Sequence, residues 1–263
     1  MLNLPKNVWI LTACLALFMS LSVFMLFVGG IIGSVLAPSK SLSTLPVATI
    51  VVGTAVSIIP AIRLMSIFGR KKVFLGTCLY TILLIGLCIF SIINESFFLF
   101  SFASFCLGGN VAVMQQFRFA AIESVELEQR PLATAIVLLG GLISAYLGTE
   151  IATLGIDYFE TDFAGSFLIL ALLFVIAFIL MCFFKPAEKF KEQINKSTRP
   201  LRNIIKQGSF IVAVCAATTG YVVMSFVMTA TPVSMHVMDG FSLDHTKFVL
   251  QSHVIAMFLP SLF

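Results

Sequence analysis

The sequence has 263 residues, of which 59% are hydrophobic and only 11% are charged, and its mean hydropathy is +1.08. An average soluble domain has about 25% charged residues, so the composition excludes a soluble globular domain and favours a protein embedded in the lipid bilayer. The net charge of +4 comes from loops on one side of the predicted bundle, and it gives no reason to expect a nucleic-acid partner.

Long apolar stretches recur along the chain and are separated by polar loops. A helix needs roughly 20 apolar residues to cross a hydrocarbon core of about 30 Å, and most of the stretches reach this length. The sequence therefore predicts an all-α membrane protein, a helical bundle in lipid. The predicted transmembrane segments lie near residues 8–32, 45–62, 73–93, 97–118, 132–154, 164–184, 208–232 and 246–263.

Basic residues cluster in alternate loops, and this pattern predicts the orientation of the chain. The N-terminus and the loops after segments 2, 4 and 6 hold most of the sixteen Lys and Arg residues. The other side holds Lys40 and Lys247 together with most of the acidic loop residues. Because cytoplasmic loops of membrane proteins are enriched in Lys and Arg, we expect a multi-pass protein of the bacterial inner membrane with a cytoplasmic N-terminus.

The longest polar stretch, residues 185–207, divides the predicted helices unequally. It follows six segments in residues 1–184 and precedes two segments in residues 208–263. Six helices, a basic cytoplasmic linker and a second set of helices resemble the layout of the major facilitator superfamily. That family has twelve helices, so the resemblance implies a complete six-helix bundle, the first two helices of an incomplete second bundle, and a chain truncated after helix 8.

The loop between segments 2 and 3 is similar to the family's motif G-x-L-x-D-R-x-G-R-R/K. Leu64, Gly69, Arg70 and Lys71 match fixed positions of this motif, and the basic residue Arg63 stands at its first variable position. Ser66 stands where the family has an aspartate that tethers helices in one of its two conformations, which implies that gating uses other contacts here. Ser104 stands where proton-linked members have an arginine in helix 4, so a drug:proton antiporter is not favoured.

Two pairs of soft metal ligands occur near the end of the chain. Met224 and Met228 are four residues apart in segment 7, and His253 and Met257 are four apart in segment 8. Residues at i and i+4 share a helix face, and thioether and imidazole ligands suit Cu(I). The two pairs resemble the motifs of the CcoA-like copper importers within the superfamily, although methionine pairs at this spacing are also common in helix packing.

Three charged residues are candidates for coupling or gating. Glu150 lies about one turn from the outer end of segment 5, where it either carries a coupling proton or reaches the membrane interface. Arg118 and Glu123 fall at the cytoplasmic end of segment 4, where we expect an interfacial ion pair or a gate latch. The sequence contains none of the common hydrolase or nucleotide-binding motifs, so we do not expect an enzyme, and no cofactor is predicted.

The sequence thus predicts a secondary transporter whose partners are the lipid bilayer and a small-molecule or metal-ion substrate. Copper uptake through the Met and His pairs is the first hypothesis. The alternatives are a facilitator of a small organic solute, whose path the same residues line, and a truncated product that does not transport. The oligomeric state cannot be derived from these patterns.

Overall fold

A computed structural model describes residues 4–159, 161–186 and 201–259, and these ranges are helical without any strand. This confirms the predicted all-α class. The helices are α1 (Lys6–Leu36), α2 (Leu45–Phe68), α3 (Arg70–Ile93), α4 (Phe97–Met114), α5 (Phe117–Glu123), α6 (Arg130–Leu154), α7 (Ala164–Cys182), α8 (Leu201–Ile205), α9 (Gly208–Pro232) and α10 (Leu243–Phe258). A π-helical turn, Val233–Met238, extends α9.

Within the described ranges, seven helical stretches are long and apolar enough to cross a membrane. They correspond to the first seven predicted segments, with one difference: segment 4 is interrupted at Gln115 and Gln116, between α4 and α5. The eighth prediction was less accurate. The helix α10 has 16 residues and begins at Leu243, and residues 260–263 lie outside the described ranges.

The predicted linker, residues 185–207, is described only in part. Residues 187–200 lie outside the described ranges, and the short helix α8 occupies Leu201–Ile205 within a stretch predicted to be a loop. The division into residues 1–184, 185–207 and 208–263 stays a prediction.

The first helix is the centre of the bundle. Twenty of the 31 residues of α1 are buried, whereas only five of the 24 residues of α2 are. The helix packs chiefly against α6 and also against α7, α9, α2 and α4. Its phenylalanines pack in the core. The ring centroid of Phe18 lies 4.9 Å from that of Phe117 and 5.2 Å from that of Phe174. Helices placed around α1 therefore share one continuous apolar core.

The helices α2 and α4 approach each other more closely than side chains would allow. A Cβ atom at Gly53 would clash with the carbonyl oxygen of Phe105, and one at Gly108 would clash with the backbone of α2 near Thr54. In lipid, helices associate through close packing of small residues. The two glycines let these backbones touch, and they fix the position of α2 beside α4.

Candidate functional site

The helices α9 and α10 contact helices α1–α7 mainly at one end. We call this the hairpin end, because the turn 233–242 lies there. The opposite end, which carries Lys6, Arg70 and Arg130, is called the basic end. Toward the hairpin end, Gly30 of α1 lies against Thr229 and Val233. Toward the basic end, every residue of α9 from Gly208 to Val223 is exposed. The first half of α9 therefore stands away from the described bundle.

A polar cluster joins α6 to α10 near the hairpin end, and we call it the α6–α10 cluster. It consists of Thr149, Glu150, Asp244, Lys247 and Gln251. The Lys247 ammonium lies 3.3 Å from each carboxylate oxygen of Glu150 and 3.2 Å from Asp244. The Gln251 amide donates to the Thr149 hydroxyl at 2.8 Å and to Glu150 at 3.3 Å.

The geometry of the α6–α10 cluster explains how a carboxylate is tolerated inside an apolar helix. Polar and charged groups are costly in a membrane unless they are paired. The side chains of Lys247 and Glu150 are 17% and 24% exposed and pair with each other. Asp244 gives Lys247 a second polar partner, and Gln251 gives one to Glu150. Below the cluster, the ring of Phe258 lies against Gly141 of α6, which makes the deeper part of this interface apolar.

Sequence reasoning identified Glu150 but missed its partners. The charge pattern places Lys247 on the outer side, and neither Lys247 nor Gln251 was predicted to pair with Glu150. A signal was present, because Lys247 and Gln251 are four residues apart and therefore share one face of α10. That shared face is the one that meets α6.

The four predicted copper ligands have different environments. Met228 is buried in the apolar core, with 3% of its surface exposed, whereas 37% of Met257 is exposed. Met224 and His253 are half-buried. Within the described ranges, no three His, Cys, Asp or Glu side chains lie together as a metal site would require. Methionine sulfur, which also suits Cu(I), is not among these groups. Copper binding by Met224, Met228, His253 and Met257 therefore stays a prediction.

The predicted pairing of Arg118 with Glu123 is wrong. The Glu123 carboxylate instead binds Arg70, with Nε to Oε2 at 2.9 Å and Nη2 to Oε1 at 2.6 Å. Arg118 is exposed. The turn of α5 brings Glu123 to the start of α3, and the guanidinium and carboxylate then meet in the two-point geometry that makes Arg–carboxylate pairs strong.

The loop motif between α2 and α3 tightens the basic end of the bundle. Gly69 ends α2 and precedes α3 with φ +83°, a conformation that favours glycine. Arg70 is buried, and the next residue, Lys71, donates to the carbonyl oxygen of Cys182 at the end of α7 at 2.6 Å. Arg63 and Ser66 are exposed, and Ser66 bonds only within its own helix turn, to the carbonyl of Arg63.

Comparison with known proteins identifies the family. The sequence profile of the Major Facilitator Superfamily matches residues 8–263. The chain belongs to the Major Facilitator Superfamily. This confirms the resemblance drawn from the helix layout and the loop motif, and it agrees with the helical bundle described above.

The relatives of this superfamily member are transporters. The riboflavin transporter RfnT of Brucella anthropi is 34% identical over 98% of this chain and 65% of its own length. Two uncharacterized MFS-type transporters of Bacillus subtilis, YddS and YdeG, are 25% and 24% identical, each over 89% of this chain. The chain spans 57% and 58% of these two proteins. No solved structure matches the chain significantly.

Proposed function

We propose that this member of the superfamily acts in secondary transport of a small organic solute, and that the solute is riboflavin or a similar flat heteroaromatic compound. The observation that carries the proposal is the 34% identity with a riboflavin transporter over 98% of this chain. This was the alternative to copper in the sequence analysis. The copper hypothesis is supported by the spacing of four residues, and none of the three relatives above is named as a copper carrier.

The arrangement of α9 and α10 supports a transport role. Transporters of this architecture expose a central site alternately by rocking one bundle against another. Here the two helices meet α1 and α6 toward the hairpin end, whereas α9 stands free toward the basic end. With the basic end in the cytoplasm, as the charge distribution predicts, this is the arrangement of an inward-facing state.

The α6–α10 cluster is then the contact that closes the outer side. Interhelical polar contacts in membranes average roughly 0.6 kcal/mol each. Three of them, from Lys247 to Glu150 and from Gln251 to Thr149 and to Glu150, would contribute about 2 kcal/mol, or about a thirty-fold change in an equilibrium. A contact of this size favours one state and still permits the other. We therefore assign Glu150 to gating.

The basic-end residues have a different role in this proposal. Arg70 and Lys71 bind Glu123 of α5 and Cys182 of α7, both within helices α1–α7. They hold α3, α5 and α7 together as one body while the gate moves. Arg118 and Arg63 are exposed at the same end, where they favour a cytoplasmic location of that surface.

Binding of riboflavin to the purified chain tests the proposal without requiring a complete transport path. Riboflavin is fluorescent, and stacking against protein groups quenches it. We expect the protein in detergent to quench the riboflavin fluorescence saturably. A non-fluorescent flavin analogue in excess should restore the fluorescence, whereas Cu(I) should not. Saturable Cu(I) binding that depends on His253, without flavin binding, would instead support the copper hypothesis.

The two variants Gln251→Ala and Ser66→Ala make this experiment sharper. Gln251 belongs to the α6–α10 cluster, whereas Ser66 is exposed and bonds only to its own helix turn. If the cluster sets the state that binds solute, Gln251→Ala changes the riboflavin affinity and Ser66→Ala does not. Equal affinities for both variants and the unmodified chain would remove the cluster from the proposed gating role.

A further inference from the structure

A groove with a volume of about 410 Å³ lies between α2 and α3, on the outside of the bundle. Both helices pack against α4, and they pack against each other far less extensively. The cleft that remains between them has α4 as its floor, at Gly109. It is separate from the α6–α10 cluster and from the predicted metal ligands.

The walls of the groove are mostly apolar; Ser57 and Thr77 also line it, and the Thr77 hydroxyl donates to the carbonyl oxygen of Val73. Leu64 and Phe68 line the α2 side, and Val73 and Gly76 line the α3 side. Gly76 has no side chain to fill the groove, and a Cβ atom added there would meet no other atom within 4 Å. At the inner end, the Tyr80 hydroxyl already donates to the carbonyl oxygen of Cys106 at 2.8 Å. The groove therefore suits a hydrocarbon chain better than a polar solute.

The length of the groove matches one leaflet of a bilayer. It runs along α3 from Lys72 to Tyr80, which is about 12 Å at 1.5 Å per residue. Half of a hydrocarbon core of about 30 Å is about 15 Å. An acyl chain that enters at the basic end would therefore occupy the groove down to a depth near the middle of the membrane.

The mouth of the groove, at the basic end, carries positive charge. Of three consecutive basic residues, Arg70 binds Glu123 and Lys71 binds the carbonyl of Cys182. Lys72 is exposed at the rim of the groove and forms no ion pair within the described ranges. Arg63 is exposed on α2 beside Leu64 and adds positive charge at the same end.

We propose that the groove between α2 and α3 binds one anionic phospholipid, with an acyl chain along Leu64, Val73 and Gly76 and the phosphate at Lys72. Basic pockets between membrane helices bind anionic headgroups, and each Lys or Arg near the surface contributes about 1 kcal/mol. That corresponds to about a five-fold preference per residue over a lipid without net charge.

Native mass spectrometry of the purified chain in detergent tests the site. The protein is titrated with dioleoyl phosphatidylglycerol and, separately, with dioleoyl phosphatidylcholine. We expect one phosphatidylglycerol to bind at least five-fold more tightly than phosphatidylcholine. The variant Lys72→Ala removes this preference because it weakens phosphatidylglycerol binding more than phosphatidylcholine binding, whereas Lys40→Ala, which changes an exposed lysine near the hairpin end, changes neither.

A pair of glycine variants tests the acyl-chain part of the proposal. Gly76→Leu fills the groove, whereas Gly86→Leu lies on the same helix outside it; an added Cβ is open at both positions. Gly76→Leu weakens the binding of both lipids at least ten-fold, and Gly86→Leu does not. Equal lipid binding by the two glycine variants would overturn the proposal, as would equal affinity of the unmodified chain for both lipids. Loss of a dimer on Gly76→Leu, without loss of lipid, would show that a second copy occupies the groove instead.

Discussion

Removal of the Glu123 carboxylate is the most direct test of the packing at the basic end. In the variant Glu123→Ala, the Arg70 guanidinium loses two hydrogen bonds of 2.6 and 2.9 Å while it stays 7% exposed. Breaking a buried ion pair by removing one partner costs roughly 3–5 kcal/mol. We expect about 3 kcal/mol, the lower end of that range, because Arg70 keeps a contact with the sulfur of Met65.

A thiol-reactive dye can follow the unfolding of this variant. Cys14, Cys78 and Cys88 are buried in the helices, so the dye reacts with them when the bundle opens. At roughly 2–4 °C per kcal/mol for a chain of this size, Glu123→Ala is expected to lower the midpoint of thermal unfolding by about 6–12 °C. The control Glu126→Ala changes an exposed carboxylate three residues away, and its midpoint should stay within about 1 °C of the unmodified chain.

A double variant separates the ion pair from other effects of the substitution. Replacement of both charges, as in Arg70→Met with Glu123→Leu, removes the uncompensated buried charge and should restore at least 1 kcal/mol of the about 3 kcal/mol lost. If Glu123→Ala melts at the same temperature as Glu126→Ala, the pair contributes nothing to stability, and the account of the basic end is refuted.

Three further predictions use the same dye assay or cell uptake. Gly53→Ala should strongly destabilise the bundle, because its Cβ would clash with the backbone of α4, whereas Gly76→Ala should be neutral or stabilising; equal midpoints would contradict the close approach of α2 and α4. A double-mutant cycle of Glu150→Gln and Lys247→Met should give a coupling of roughly 0.6–1.7 kcal/mol, and strictly additive costs would show that the pair is not formed. His253→Ala should leave the copper content of cells unchanged if the substrate is organic, and a fall in copper would favour the metal hypothesis.

The positions of the helices could be predicted from the sequence because membrane thickness sets one requirement for every crossing segment. The number of apolar residues needed is the same whichever neighbours a helix has. The prediction therefore located α1 and α2 equally well, although α1 is buried and α2 is largely exposed. Lipid is as apolar as a protein core, so hydropathy cannot say which of two apolar helices lies at the centre.

The pairing of charged groups could be predicted less well. Glu123 has basic residues near it in the sequence, and Arg118 is the nearest, yet Arg70 binds it because α3 packs beside α5. The same holds for Glu150, whose partner Lys247 lies 97 residues away in the sequence. Such pairs depend on which helices are neighbours, and only the contact face of α10, marked by Lys247 and Gln251, was visible in the spacing.

The methionine pairs show the limit of reasoning from spacing alone. Four-residue spacing places two side chains on one helix face, whether that face holds a metal or packs against a neighbour. Met228 is buried in the apolar core while Met257 is 37% exposed. The relatives, and not the spacing, moved the proposed substrate from a metal ion to an organic solute.

Growth of a riboflavin-requiring bacterium distinguishes transport of the organic solute from transport of copper. A strain that neither makes nor imports riboflavin is given the intact gene that encodes this chain, and it is grown at limiting riboflavin while cellular copper is measured. We expect that growth is restored and that cellular copper is unchanged. Failure to restore growth, together with a His253-dependent rise in cellular copper, would contradict this expectation.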